Sequence, residues 1–226
     1  MAIDKRVDTV AESMQDVADG ATVMLSGFGG AGFPNVLIGG LVAQGARDLT
    51  LVVNSATHRL SLTHELIAAR RVRKIICSAA RGHAPGLSVF EEQWREGHIE
   101  LECVPQGTFA ERIRAGGAGI PAFFSPVGVG TELTQGKEVR DFDGVEHVLE
   151  TAIKGDVALI RGDTGDRFGN VQFRYAQANF SPAMATAADM TIAEVRRSQA
   201  EAIHPESVQL SGVYVDRVVT VSDANE

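Results

Sequence analysis

Cysteine is nearly absent: Cys77 and Cys103 are the only two in 226 residues, and each sits in an apolar, strand-like run (KIICS and IELECV). Thiols so placed are expected to be buried and reduced, which sets aside a disulfide-stapled scaffold. No stretch approaches the ~18 continuous apolar residues that a membrane-crossing helix needs. The opening residues, MAIDKRVDTVAESMQ, carry acids early and no apolar core of signal-peptide length, so a cytoplasmic protein is expected. Basic residues are in deficit too, with 21 Lys and Arg against 29 Asp and Glu and a formal net charge of -8. A nucleic-acid surface needs a basic stripe to release counterions from phosphates, so nucleic acid is excluded as a partner. Small anions stay open, because backbone N–H groups and a few placed arginines bind them locally. Metal-ligand spacing is missing as well. His58 and His64 show no zinc pattern, His83 falls in a loop-like stretch, and no metal site is expected.

What is present is an ordinary globular balance, 44% hydrophobic and 22% charged, with enough chain for one domain over residues 1–226. Short apolar runs alternate with amphipathic ones. Strands are expected near 22–25, 49–54, 74–78, 99–104, 157–161, 190–195 and 214–221. Several are almost continuously apolar (LTLVVN, VALI), the pattern of strands covered on both faces. Helix starts carry signals of their own. Ser88 with Glu91, and Thr108 with Glu111, read as capping boxes, and Ser181-Pro182 as an N-cap followed by a first-turn proline. This alternation predicts an α/β fold: a single open, mainly parallel sheet with helices on both faces. Residues 116–144, rich in Gly and Pro, read as a long irregular loop of the kind used for function or an interface. Phe168-Gly169-Asn170 reads as a turn into the strand VQFRY. Phe90 and Trp94 share a helix face and are expected in the core, while Arg70, Arg71, Arg73 and Lys74 read as a solvated helix end. Glu132 and Glu138 read as solvated loop carboxylates.

Residues 19–45 (DGATVMLSGFGGAGFPNVLIGGLVAQG) are the most informative. A strand ends at Leu25, glycines follow at 27, 29, 30 and 32, and Pro34 opens a helix. Strand, glycine loop and helix N-terminus together make an anion site, since the backbone is approachable and N–H groups point outward. Gly27, Gly29 and Gly32 also match the dinucleotide fingerprint G-x-G-x-x-G. Against that reading, the second strand ends in Asn54 where a ribose-binding acid is expected, and Pro34 puts the helix start after the third glycine. A purely structural turn is the remaining alternative.

Asp19-Gly20, then Val23-Met24-Leu25, Gly27-Phe28 and Gly32-x-Pro34 resemble the alpha-subunit signature of class I coenzyme A-transferases, with Ser26 where that signature has a glycine. Glycine-only backbone angles would be strained at Ser26. The resemblance continues through Val104-Pro105-Gln106-Gly107-Thr108, Phe124-Ser125-Pro126-Val127-Gly128-Val129-Gly130-Thr131 and Asn179-Phe180-Ser181-Pro182, in the family's order over roughly residues 5–221. It looks closest to the 3-oxoadipate and 3-oxoacid branches. Residues 53–58 and 78–86 depart from the pattern.

The resemblance implies a ping-pong transfer of CoA between carboxylic acids through an acyl-glutamyl anhydride and a glutamyl-CoA thioester. The nucleophilic glutamate lies in the family's beta half, in a Ser-Glu-Asn-Gly motif that these residues do not contain. No catalytic nucleophile is therefore expected in this chain. Its share is binding: Gly27, Phe28, Gly29, Gly30, Ala31 and Gly32 would offer N–H groups to an acyl oxyanion or carboxylate. Asn54, Gln106, Gly107, Gly128, Gly130 and Thr131 would form pocket walls. The implied partner is a homologous beta subunit in an alpha2beta2 assembly, and CoA enters as substrate, with no cofactor. A non-catalytic homologue that binds an acyl ligand, or an acyl-CoA thioester hydrolase of the same assembly, are the alternatives.

Overall fold

Residues 3–82 and 85–221 are described by a computed structural model. The first half runs β1 (Arg6–Val7), α1 (Val10–Met14), β2 (Thr22–Leu25), α2 (Asn35–Gln44), β3 (Leu49–Val53) and α3 (Thr63–Ala68). It continues through β4 (Val72–Cys77), α4 (Val89–Arg95), β5 (Glu100–Cys103) and α5 (Gln106–Gly117). Three strands follow, β6 (Ala122–Ser125), β7 (Val139–Phe142) and β8 (Val145–Thr151). The chain then forms β9 (Gly155–Asp166), β10 (Val171–Gln172), α6 (Ser181–Ala187), β11 (Ala188–Gln199) and β12 (Arg217–Thr220).

The main sheet has the order β1-β12-β11-β9-β2-β3-β4-β5, with β10 laid antiparallel on β9. Every pairing along that path is parallel. All five residues of β3 are buried, which is possible only with cover on both faces. One core packs α1 to α4 against the sheet through Met14, Leu37, Leu41, Leu66 and Phe90. A second packs α5 and α6 on the opposite face through Phe109, Ile113 and Met184. Helix ends follow local chemistry. Gly45, at φ 96°, closes α2 in the left-handed conformation. At α4, Ser88 Oγ accepts from the Glu91 N–H at 3.2 Å while the Glu91 carboxylate accepts from the Ser88 N–H at 2.9 Å, the expected capping box.

The topology fixes where a ligand can enter. From β2 the chain steps outward through β3, β4 and β5. It then returns to the centre with β9 and steps the other way to β11 and β12. The order reverses between β2 and β9, which opens a crevice at the carboxyl ends of those two strands. β2 stops at Leu25, opposite Leu159, whereas β9 runs on to Asp166.

All seven expected strands are present. The single-sheet expectation is corrected: residues 116–144 are not one irregular loop. They include β6 and β7, which pair with β8 in a separate antiparallel sheet of order β6-β8-β7. The signal was in the sequence. Asp143 and Gly144 have φ of 55° and 80° and form the two-residue turn joining β7 to β8, and Asp-Gly between alternating apolar residues is the strongest short-range hairpin cue. Other expectations change in detail. Thr108 is buried inside α5, which begins at Gln106, so it caps nothing. Phe180, not Ser181, holds the N-cap position of α6. Trp94 is 46% exposed, and Cys103 is half-buried where Cys77 is fully buried. Lys74 lies in β4 and pairs with Glu100 and Glu102 rather than ending a helix. His83 falls outside the described residues.

Candidate active site

The glycine loop is a two-residue hairpin standing in the crevice. Phe28 and Ala31 exchange both backbone hydrogen bonds, at 3.0 and 3.1 Å. Gly29 and Gly30 form the turn with φ of 61° and 95°, a combination glycine adopts without strain. Two side chains hold its base. The Asn179 side chain accepts from the Gly27 N–H at 3.1 Å and donates to the Ala31 carbonyl at 3.0 Å. Ser26, fully buried, donates its hydroxyl to the Gly32 carbonyl at 2.8 Å. Ser26 is not among the positive-φ residues, so the strain expected there does not arise, and its hydroxyl is a brace. Gly32 has no room for more: an added Cβ would lie 2.7 Å from the Gln177 carbonyl.

This geometry narrows the expected donor set. The N–H groups of Phe28 and Ala31 are consumed by the hairpin itself, and that of Gly27 by the Asn179 side chain. Those of Gly29, Gly30 and Gly32 have no hydrogen-bond partner among the described residues and are available to a ligand. Phe28, 44% exposed, carries its ring beside the tip, edge-on to Phe180 at 6.3 Å.

Beneath the hairpin lies a buried ion pair that the sequence reading passed over. Arg161, at the end of the apolar run in β9, donates to Glu194 of β11 at 2.7 Å; their side chains are 8% and 0% exposed. The other Glu194 oxygen accepts from the Leu37 N–H at 2.9 Å, in the first turn of α2. A carboxylate there complements the positive end of the helix dipole. Burial pushes the Glu194 carboxyl up to about 7, opposed by the helix N–H groups and by Arg161. A charged residue inside an otherwise apolar strand, as in VALIR and TIAEV, was the signal available. Above the pair a cavity of about 500 Å³ opens, reached by Gly30, Gly32, Leu60, Arg161, Arg174 and Arg196 among others.

The other expected wall residues form a second group at the same carboxyl edge. Asn54, buried after β3, accepts on its side-chain oxygen from the Ser78 hydroxyl at 2.8 Å and from Gln106 at 3.0 Å. Gly107 follows in the first turn of α5. The turn 128–131 is closed by the Thr131 N–H and hydroxyl, both donated to the Gly128 carbonyl. A Cβ on Gly128 would come within 3.8 Å of Pro105, next to Gln106. Gly130 and Thr131 are exposed at its outer side. No hydrogen bond joins this group to residues 27–32 among the described residues. The link is indirect: Asn35 of α2 clasps the loop after β3, through the Leu60 carbonyl at 2.8 Å and the Leu62 N–H at 2.9 Å.

The chain matches the family model for coenzyme A transferase over residues 7–220. A 3-oxoadipate CoA-transferase subunit from Pseudomonas putida is 47% identical over 223 residues, covering 98% of this chain and 96% of that one. The mitochondrial succinyl-CoA:3-ketoacid coenzyme A transferase 2 of Homo sapiens is 41% identical over 227 residues, with 92% of this chain and 43% of that one covered. Among solved structures, glutaconate coenzyme A-transferase from Acidaminococcus fermentans superposes with a TM-score of 0.85 at 19% identity, covering 98% of this chain and 77% of that one. That last likeness speaks to the fold alone. The family match over nearly the whole length, with a hairpin at the switch point of a parallel sheet, places this chain in the coenzyme A transferase family.

Proposed function

We propose that this chain is the alpha subunit of a CoA-transferase that moves CoA between succinyl-CoA and a 3-oxo acid, 3-oxoadipate or acetoacetate, with the nucleophilic glutamate supplied by a beta subunit in an alpha2beta2 assembly. The observation that carries this reading is the exposed Gly29-Gly30 turn, whose N–H groups have no hydrogen-bond partner among the described residues. It stands beside a cavity that Gly30 and Gly32 line and that no described aspartate or glutamate lines. The carboxylates nearby are already committed: Glu194 to Arg161 and α2, and Asp163 to Arg197 at 2.6 Å. A fully buried carboxylate bonded on both oxygens, as Glu194 is, is a poor nucleophile toward a thioester, which supports a nucleophile supplied by the partner. The full-length likeness to a protein that is itself named as one subunit of a CoA-transferase supports the same division of labour.

In the reaction the partner's glutamate attacks the thioester carbonyl, the carbonyl oxygen becomes an oxyanion, and CoA leaves as the thiolate, giving an acyl-glutamyl anhydride. CoA then attacks the glutamyl carbonyl, releases the first acid and forms the glutamyl-CoA thioester. A second acid takes CoA by the reverse steps. Each addition creates an oxyanion, which the unpartnered N–H groups of Gly29, Gly30 and Gly32 would receive. Asn54, held by Ser78 and Gln106, keeps its amide nitrogen free of partners among the described residues and can donate along the same edge.

The test is co-expression with the beta subunit, purification of the pair, and assay of CoA transfer from succinyl-CoA to each 3-oxo acid, with the isolated chain as control. Turnover by the pair and none by the chain alone is the expected result. Turnover by the isolated chain would overturn the partner assignment. Free CoA released without transfer would make the pair a hydrolase, and stable binding without turnover a ligand-binding homologue.

A further inference from the structure

We propose that Arg161, Arg174 and Arg196 form a subsite for the distal carboxylate of a dicarboxylic substrate, and so set a preference for diacids over monoacids; this rests on the transferase reading above and names its substrate class. The three arginines reach one cavity from three elements: Arg161 on β9, Arg196 on β11, and Arg174 in the segment after β10. No aspartate or glutamate lines that cavity among the described residues. In a chain with 29 acidic against 21 basic residues, three guanidinium groups around one opening run against the average composition.

The site is built rather than incidental. The Arg161 side chain is 8% exposed and locked by Glu194, so its direction is set before a ligand arrives. Acids flank the three arginines outside this cavity: Glu194 on Arg161, and Asp163, which lies 2.6 Å from Arg197 and 3.9 Å from Arg196 and lines a neighbouring cavity with Arg174. At the mouth, Tyr175 is 89% exposed and held at φ 50°, a conformation that costs a non-glycine residue free energy and that recurs at ligand sites. Arg174 lies 5.0 Å from the centroid of that ring, which holds its guanidinium at the rim.

The cavity also contains Gly30 and Gly32, so the oxyanion donors and the arginines face one space. A substrate with its reacting carboxyl at the hairpin can present a second carboxylate to the guanidinium forks, whose planar donor pairs match that group. About 500 Å³ suits a short diacid. The phosphates of CoA are the other source of the same anionic chemistry.

The experiment uses the assembled enzyme carrying Arg174→Met or Arg196→Met; Arg174 is exposed, so its replacement leaves the core intact. The kcat/KM for 3-oxoadipate is compared with that for acetoacetate, which lacks the distal carboxylate. Calorimetric binding of adipate is compared with that of hexanoate. We expect the diacid-to-monoacid ratio of kcat/KM to fall about 10-fold or more, and adipate Kd to rise by about as much relative to hexanoate. Unchanged ratios would overturn the subsite. An equal loss on both acceptors, or on every CoA ester tested, would assign the arginines to CoA phosphates and overturn it as well. If the unaltered enzyme transfers CoA to neither acid, the transferase reading fails, while adipate against hexanoate still decides the arginines.

Discussion

The two sheets of this molecule differ both in strand direction, parallel along the main sheet and antiparallel in the small one, and in exposure to solvent. In the main sheet β3 is buried at every position and β9 at all but one. In the small sheet β7 is exposed at every position, and Val139, Phe142 and Val145 are 49%, 43% and 51% exposed. The main sheet therefore draws its stability from apolar burial on two faces, and the polar groups admitted to it are paired. The outer strand of the small sheet rests on its hairpin turn and on ring contacts such as Phe124 with Phe142 at 5.3 Å, while Val148 and Glu150 of β8 are buried, Glu150 paired with Lys137 at 2.7 Å. A change inside the main sheet should be felt by the whole domain, and one at an exposed position of the small sheet hardly at all.

The sharpest way to break that contrast is Glu194→Ala. It leaves Arg161 buried without its carboxylate and removes an acceptor from the first turn of α2, and should cost about 3–5 kcal/mol in urea unfolding. Next comes Gly32→Ala. Its Cβ meets the Gln177 carbonyl at 2.7 Å and its φ of 75° favours glycine, so the hairpin shifts and transfer by the assembled enzyme should fall about 100-fold or more. Steady-state kinetics beside a urea curve separates the loss of turnover from the loss of fold. A smaller effect follows from protonation. Because burial raises the Glu194 carboxyl from 4.5 to about 7, the folded chain keeps a proton there that the unfolded chain has released. This residue's contribution to stability is therefore largest below pH 4.5 and declines as pH rises to about 7. Unfolding of wild type and Glu194→Gln, compared at pH 5 and pH 8, should show that decline in wild type alone. Least of all, Val145→Thr on the small sheet should stay within about 0.5 kcal/mol of wild type. A loss as large as that for Glu194→Ala would erase the distinction between the sheets.

The same contrast governs what could be read in advance. Runs such as LTLVV announce strands because double burial demands continuous apolar residues, and several of the seven were legible that way. β7 (VRDF) makes no such demand, and its Asp143-Gly144 turn was the one cue available. At the site, the glycines of 27–32 were legible as a tight turn between β2 and α2, because consecutive glycines after a strand admit the positive φ that such a turn needs. Which N–H groups stay open was not legible, since that depends on Asn179, about 150 residues away in sequence. The arginines were equally hidden: Arg161, Arg174 and Arg196 converge only once β9, β10 and β11 are placed side by side.

Cys77 and Cys103 are register partners on the neighbouring strands β4 and β5. Cys77 is fully buried and its thiol is pushed up to about 12, mainly by burial, whereas Cys103 is half-buried on the edge strand. The pair is thus a two-channel clock for opening. Under native conditions an alkylating reagent reaches Cys103 through local fraying, but modifies Cys77 only in molecules whose sheet has parted. The ratio of the two rates measures how much rarer opening of the interior is than breathing of the edge, without denaturant and inside the assembled enzyme.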